Sequence, residues 1–325
     1  MLKELDIKNF RLFKHLHIEG LKRVNLFAGK NNSGKTALLE ALRIRSAEDD
    51  ISVMRYILQQ RGEYFSNFWS LYDSFFFRPE LERLQKDTNK SLTFEISDDF
   101  VFSRKYITEK RVEYMIGTNT QSFDVSQLGQ NLPQPLFPRD RIVYVPFSAV
   151  EHFPLSYYWD QIVLTPKEDK VIEILRETIL PDLIRLDVQQ NERIMVRLKS
   201  EEKPVPLKNL GDGAQRMLAI AIALVSAKDN LLLIDEIETG LHFTVLEKMW
   251  DIIFRYSESL HIQVFATTHS QDALKTFAYM LEKSENEDAG AYFRLQADRK
   301  TGQIEAIPFD LERLESALET KSEIR

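Results

Sequence analysis

The stretch "GKNNSGKT", residues 29–36, carries two glycines, a lysine and a hydroxyl residue in the order G-x-x-x-x-G-K-[ST]. That spacing suits the wrapping of phosphate oxygens by backbone N–H groups. Gly29 and Gly34 let the chain through Asn31, Asn32 and Ser33 approach an anion closely, and Lys35, Thr36 and Ala37 open the next helix. In this pattern Lys35 reaches the β- and γ-phosphates of a nucleotide and the Thr36 hydroxyl ligates Mg²⁺. A second cluster, "NLLLIDEIETGLH", ends an apolar run in Asp235 and Glu236. There Asp235 would hold the Mg²⁺ shell, and Glu236 would orient or deprotonate an attacking water. "IQVFATTHS" repeats the logic and delivers His269, whose imidazole can hydrogen-bond a γ-phosphate or that water. "LKNLGDGAQRMLAIAIAL" sets Gly211, Asp212 and Gly213 at a helix mouth, a further dipole end facing an anion.

Each group needs an element to aim it. "KRVNLFAG" reads as a buried strand ending at Gly29, and "KTALLEALRI" as a helix with Leu38, Leu39 and Leu42 on one face. "LLLI" before Asp235 reads as a strand of a parallel sheet, at whose C-terminal tip ligands bind. Leu218, Ile220, Ala221 and Leu224 form the buried stripe of the helix after Gly213. "LKELDIKNFRLF" alternates around Leu5 and Ile7 as an earlier strand, and residues 91–116 give three more alternating stretches, a small β meander.

Between these, Phe65, Phe68, Trp69, Tyr72 and Phe76 recur at helical spacing, the face of a packed helix or alternatively a docking surface. Residues 117–141 are rich in Gly, Asn, Gln, Thr and Pro and predict a long surface loop. "EDKVIEILRETILPDLIRLDV" predicts a helical stretch with Val171, Ile174 and Leu175 inward, interrupted at Pro181, and "ERIMVRLKS" a strand. "AYFRLQADRKTGQIEAIPFD" predicts a hairpin around Lys300, Thr301 and Gly302, with a terminal helix after it.

The chain has 325 residues, 43% hydrophobic and 29% charged, enough for a sizeable core in one large domain or two smaller ones. Without cysteine, neither disulfides nor a cysteine metal cluster holds it. No signal pattern opens it and no apolar run is long enough to span a bilayer, so a cytoplasmic protein without a membrane partner is expected. With 43 Lys and Arg against 50 Asp and Glu, the net charge of −7 does not advertise a nucleic-acid coat. A local basic patch is offered by Arg104, Lys105, Lys110 and Arg111, whose plainer reading is a solvated strand face.

With those residues in hand, the chain resembles the ABC-type ATPase heads of the SMC, RecF and OLD group, often described as AAA-family ATP-binding proteins. The resemblance rests on "IKNFRLF", "GKNNSGKTALLEAL", "LGDGAQR", "LLLIDEIETGLH" and "ATTHS" in that order, while residues 45–200 match only in general pattern. It implies an α/β P-loop NTPase with a mixed central sheet, an N-terminal antiparallel β subdomain and an inserted helical region. One composite head over residues 1–325 is expected: residues 1–118 as N-terminal lobe, 119–205 as loop and helical insertion, 206–325 as C-terminal lobe. Carried over by residue, Lys35 and Thr36 bind phosphate and Mg²⁺, Asp235 supports the metal, Glu236 is the catalytic carboxylate and His269 the switch histidine. The resemblance further implies a homodimer that sandwiches two ATP molecules, with Gly211, Asp212 and Gly213 of one copy facing the γ-phosphate held by the other.

The sequence also departs from the group. Gly211 replaces the serine of L-S-G-G-Q, Asp212 replaces a glycine, and His242 stands where an Asp is usual, as in the OLD-type "E-x-G-L-H". Gln59, Gln60, Gln121 and Gln127 all remain alternatives for the Q-loop glutamine. No stretch is long enough for an SMC-like arm, and 56 residues after His269 are expected to be too few for a TOPRIM nuclease domain. The leading expectation is therefore an ATPase that dimerises with ATP and controls a separately encoded effector, a nuclease or toxin, in bacterial anti-phage defence. The alternatives are a nucleotide-gated scaffold with little turnover and a RecF-like DNA-repair accessory ATPase; a transporter subunit fits least.

Overall fold

The computed structural model describes residues 1–47, 51–63, 75, 92–98, 102–107, 111–116, 119–124, 142–148, 153–189, 193–284, 286 and 289–319. In chain order the strands are β1 (Glu4–Phe10), β2 (Phe13–Glu19), β3 (Val24–Ala28), β4 (Leu92–Asp98), β5 (Phe102–Ile107), β6 (Arg111–Ile116), β7 (Asn119–Asp124), β8 (Val143–Val145), β9 (Leu183–Val188), β10 (Ile194–Leu198), β11 (Val205–Pro206), β12 (Leu231–Ile234), β13 (Gln263–Thr268), β14 (Gly290–Ala297) and β15 (Ile304–Phe309). The helices are α1 (Lys35–Ser46), α2 (Ile51–Gln60), α3 (Leu155–Asp160), α4 (Pro166–Thr178), α5 (Asp212–Ser226), α6 (Phe243–Ser259), α7 (Gln271–Lys283) and α8 (Leu311–Glu319), with a 3-10 turn at Leu207–Leu210. Two compact units result: Met1–Leu21, Ala28–Arg141 and Phe293–Pro308 form one, and Lys22–Phe27, Ile142–Tyr292 and Phe309–Arg325 the other.

The first unit is built on an antiparallel sheet in the order β2-β1-β4-β5-β6-β7. Period-two alternation makes β1 what it is: Leu5 and Ile7 pair with Ile18 and Leu16 and are buried, while Asp6 and Lys8 face His17 and His15. Helix α1 packs on β4 and buries Leu38, Leu39 and Leu42 as its spacing predicted. It also buries Glu40, whose carboxylate meets Arg11 Nε at 3.0 Å and Arg61 Nη1 at 3.0 Å. Because two guanidiniums share this one buried carboxylate, loss of either leaves Glu40 paired with the other. Among the hairpin residues, Asp298 closes the β14–β15 turn by accepting from the backbone of Lys300 and Thr301.

The second unit centres on β12, paired in parallel with β13 on one side and with β8 on the other. Residues 24–27 of β3 lie beyond β13, where Asn25 Nδ2 donates to Val264 O at 3.1 Å and Phe27 stacks on Phe265. Every side chain of α5 from Ala214 to Val225 is buried, Gln215 and Arg216 among otherwise apolar ones. A smaller antiparallel sheet runs β11-β10-β9. The α/β class, with antiparallel sheets and a mixed one, is thus the fold expected from the sequence.

Two local expectations change. Residues 119–124 are not loop but strand β7, because β6 supplies a partner for a segment whose own composition is polar; residues 125–141 lie outside the described residues. The helix read through residue 188 stops at Thr178, and Leu183, Leu186 and Val188 turn inward from a strand registered against β10. The helical-spaced aromatics at 65–76 lie outside the described residues, with only Phe75 between them seen, buried and stacked on Phe10. Of the basic stretch, Arg104 and Lys105 lie in β5 and Arg111 in β6, and residue 110 is outside the description.

Candidate functional site

In the first unit, Gly29 carries the chain out of β3 and Gly34 caps α1 with φ 94° and no side chain in the capping role. Both glycines are dictated by space. A Cβ on Gly29 would lie 2.5 Å from Leu295 O, and one on Gly34 2.7 Å from the Phe13 ring. Asn32 is also left-handed, with φ 64°. Left-handed residues alternating with right-handed ones curl a backbone so that its N–H groups gather into an anion-binding concavity. Asn31 and Asn32 are exposed, Thr36 is half-buried and Ala37 is buried. Lys35 is buried, its ammonium donating to Gly29 O at 2.8 Å and Lys30 O at 3.0 Å. Ser33 Oγ is buried and has no hydrogen-bond partner among the described residues. An orphaned hydroxyl, a left-handed curl and an ammonium folded over the loop together fit a nucleotide phosphate.

In the second unit the acidic strand tip is built as tightly. Asp235 is 2% exposed, and its N–H extends the ladder to Val145 O at 2.9 Å. The Thr267 hydroxyl donates to Asp235 Oδ1 at 2.6 Å and accepts from Glu236 N at 2.8 Å. Glu236 itself has φ 47°, a conformation uncommon for a residue with a side chain, and its carboxylate is partly exposed. An Asp235 carboxyl that accepts a hydrogen bond from the Thr267 hydroxyl suits a divalent-cation ligand, since carboxylate and hydroxyl oxygens are the donors that hard cations take.

His269 follows β13. Its backbone N–H donates to Glu238 Oε1 at 3.0 Å, its Nδ1 lies 3.2 Å from the same oxygen, and Glu236 Oε1 is 3.7 Å from that nitrogen. Glu238 accepts from Thr268 Oγ1 at 2.7 Å through its other oxygen. Glu238 is therefore the residue that orients the imidazole, and sequence reading missed it; the only signal was a second carboxylate two places after Glu236. Arg216 was missed too. It is 2% exposed, and its guanidinium donates to the carbonyls of Pro146, Phe147, Asp235 and Glu236. Burial pushes its pKa down to about 10, against the opposing pull of Asp235, Tyr144, Glu238 and Glu236, so it stays charged at neutral pH.

Gly211 (φ 93°), Asp212 and Gly213 do form the mouth of α5, again without a side-chain cap. A Cβ on Gly213 would meet Gly240 O at 2.8 Å, so the loop after Glu238 lies directly against this mouth. His242 serves as the N-cap of α6, accepting from Thr244 N. Of the Q-loop alternatives, Gln60 is engaged by Arg43 at 2.8 Å, Gln59 shares α2 with it, Gln121 lies in β7 and residue 127 is outside the description. The structure thus brings Asp235, Glu236 and His269 together in one unit, with Gly211–Gly213 on a helix of that unit, and places residues 29–37 in the other.

Residues 65–274 match the family model described as "AAA domain, putative AbiEii toxin, Type IV TA system". The match spans Gly211–Gly213, Asp235, Glu236 and His269, and the phosphate loop precedes it. The chain is 24% identical over 352 aligned positions to the "ATP/GTP phosphatase" of Helicobacter pylori (strain ATCC 700392 / 26695), covering 92% of this chain and 93% of that one. A 41-residue stretch is 49% identical to the "DNA replication and repair protein RecF" of Nitrosococcus oceani, 13% of this chain and 11% of that protein. Among solved structures, the Smc head bound to the C-winged helix domain of ScpA superposes with a TM-score of 0.62 at 14% identity, over 97% of this chain and 99% of that one. The fold is that of an ABC/SMC/RecF-type ATPase head.

Proposed function

The chain belongs to the family described as AAA domain, putative AbiEii toxin, Type IV TA system, and from that premise we propose that it is an ATP-hydrolysing head that dimerises around its substrate. The observation that carries the reading is the single Thr267 hydroxyl joining Asp235 to the backbone of a left-handed Glu236 at the tip of a buried parallel strand.

In this reading the loop from Gly29 to Ala37 receives the phosphates of ATP, with Lys35 turning from the carbonyls of Gly29 and Lys30 to the β- and γ-phosphates. Thr36 and Asp235 would hold Mg²⁺, which when bound offsets charge on the transferring phosphoryl group. Glu236 orients the attacking water and accepts its proton. Glu238, beside His269 Nδ1, leaves Nε2 of the imidazole to face that water or the γ-phosphate. The name of the Helicobacter relative, an ATP/GTP phosphatase, supports hydrolysis and leaves the base open.

Gly211, Asp212 and Gly213 present α5 to the γ-phosphate held by a second copy, by backbone N–H groups, since Gly211 has no hydroxyl. The dimer's opening and closing would act on a separately encoded effector, a nuclease or toxin, in anti-phage defence, a setting that agrees with the toxin–antitoxin wording of the family. The missing hydroxyl at Gly211 and the acid at Asp212 favour a second reading, a nucleotide-gated scaffold with little turnover.

Glu236→Gln in the full chain tests the sandwich. With ATP and Mg²⁺ its mass in solution is expected to double, and that of Lys35→Ala to stay unchanged. A Glu236→Gln protein that binds ATP and remains at the mass of one chain contradicts the dimer.

A further inference from the structure

We propose that Arg216 is a positioning residue for hydrolysis, fixing the backbone of Glu236 and tying it to the helix that starts at Gly211–Gly213; this rests on the hydrolytic reading above. From Ala214 to Val225, α5 buries Ala, Met, Leu, Ile and Val with Gln215 as the one other polar residue, and an apolar side chain at position 216 would be the easy choice for such a helix. A guanidinium there is desolvated, and among the described residues its hydrogen bonds go to backbone carbonyls and not to a carboxylate. Instead its fork is used on backbone: Nη1 takes the carbonyls of Pro146 and Phe147 after β8, and Nη2 those of Asp235 at 2.7 Å and Glu236 at 3.0 Å after β12.

Two parallel neighbouring strands therefore end on one side chain. Glu236 is held at its N–H by Thr267 and at its carbonyl by Arg216, which leaves its peptide groups little freedom. That is what a φ of 47° requires, because a left-handed residue with a side chain persists only where its surroundings over-determine it. Arg216 also lies within one turn of Gly213, which is in contact range of Gly240 O. A shift of the α5 mouth would be carried by this fork to the carboxylate. Lysine is not equivalent here, since a point donor cannot serve both strand tips.

The test uses the full chain and three readouts: steady-state ATP turnover, affinity for a non-hydrolysable ATP analogue, and melting temperature. Arg216→Lys is expected to keep its analogue affinity and KM within about 3-fold while kcat falls by about 30-fold or more, the signature of a lost transition-state arrangement. Arg216→Ala is expected to regain kcat, with saturation, in millimolar guanidinium chloride and not in sodium chloride at equal ionic strength. Arg216→Lys turning over within about 2-fold of wild type overturns the proposal, as does a parallel fall of kcat, affinity and melting temperature with no rescue of the alanine variant. No turnover in the wild type overturns the hydrolytic reading and this proposal together, whereas a fully active lysine variant overturns this proposal alone.

Discussion

The Thr267 hydroxyl serves two neighbours at once, and this economy is characteristic of the site: each reactive group is held by a residue whose own chemistry is unremarkable in sequence. Lys35, Thr36, Asp235 and Glu236 could be put forward from the sequence because their motifs are local and need no fold to be seen. Glu238 and Arg216 could not, since Glu238 is joined to Thr268 across 30 residues and Arg216 to Pro146 across 70. Away from the site, His17 offers a titratable check on the hairpin. Its hydrogen bond to Glu19 raises its pKa above 6.5, burial opposing and Asp6 adding to the rise. Burial works against ionisation of Asp6, but hydrogen bonds from His15 and Lys8 outweigh it and lower the carboxyl below 3.8. The His17 contribution is therefore complete below 6.5 and lost as pH rises through its folded value, and that of Asp6 is present above 3.8 and lost as pH falls. Thermal melts should show His17→Gln further below wild type at about pH 5.5 than at about pH 8.5, modestly, because the pair is half-exposed. A gap that does not change with pH contradicts the assignment.

At the scale of elements, the strand–loop–helix unit around Gly34 is the most sharply specified. Alanine there must adopt φ near 94° and push the buried Phe13 ring aside. Gly34→Ala is expected to lose about 1–3 kcal/mol of stability, the usual cost of a strained backbone, and to lose ATP binding altogether. Calorimetric melting and nucleotide titration would check both, and a variant that binds ATP normally would remove the loop from its assigned role. Strand β3, helix α1 and strand β12 were legible because runs of buried apolar residues lead directly into glycine or acid. Strands β7 and β9 were not: "NTQSFD" owes its conformation to β6, and Leu183 and Leu186 stand three apart, a helical spacing that β9 accommodates where its register against β10 shifts. Pairing partners, not propensity, decided both.

For the molecule as a whole, composition bounded the problem and the order of motifs supplied the rest. A chain of net charge −7 without cysteine needs its core and its ion pairs, such as Arg11 with Glu40, to hold the first unit, and an apolar α5 to organise the second. No helix among the described residues is long and apolar enough to cross a membrane. The family and the SMC-type head fold followed from five short motifs at both ends of the sequence, although most of residues 45–200 carried no motif of their own. What those motifs could not convey is how the acidic tip is braced, and that bracing is the basis for reading the molecule as a hydrolase. The most direct test is Mg²⁺-dependent ATP turnover by purified wild type beside Glu236→Gln, with ATP binding measured on both. Phosphate release by the wild type, a fall of about 100-fold or more in the variant and unimpaired ATP binding by both are predicted. ATP binding without turnover in the wild type, or undiminished turnover in Glu236→Gln, would contradict the account.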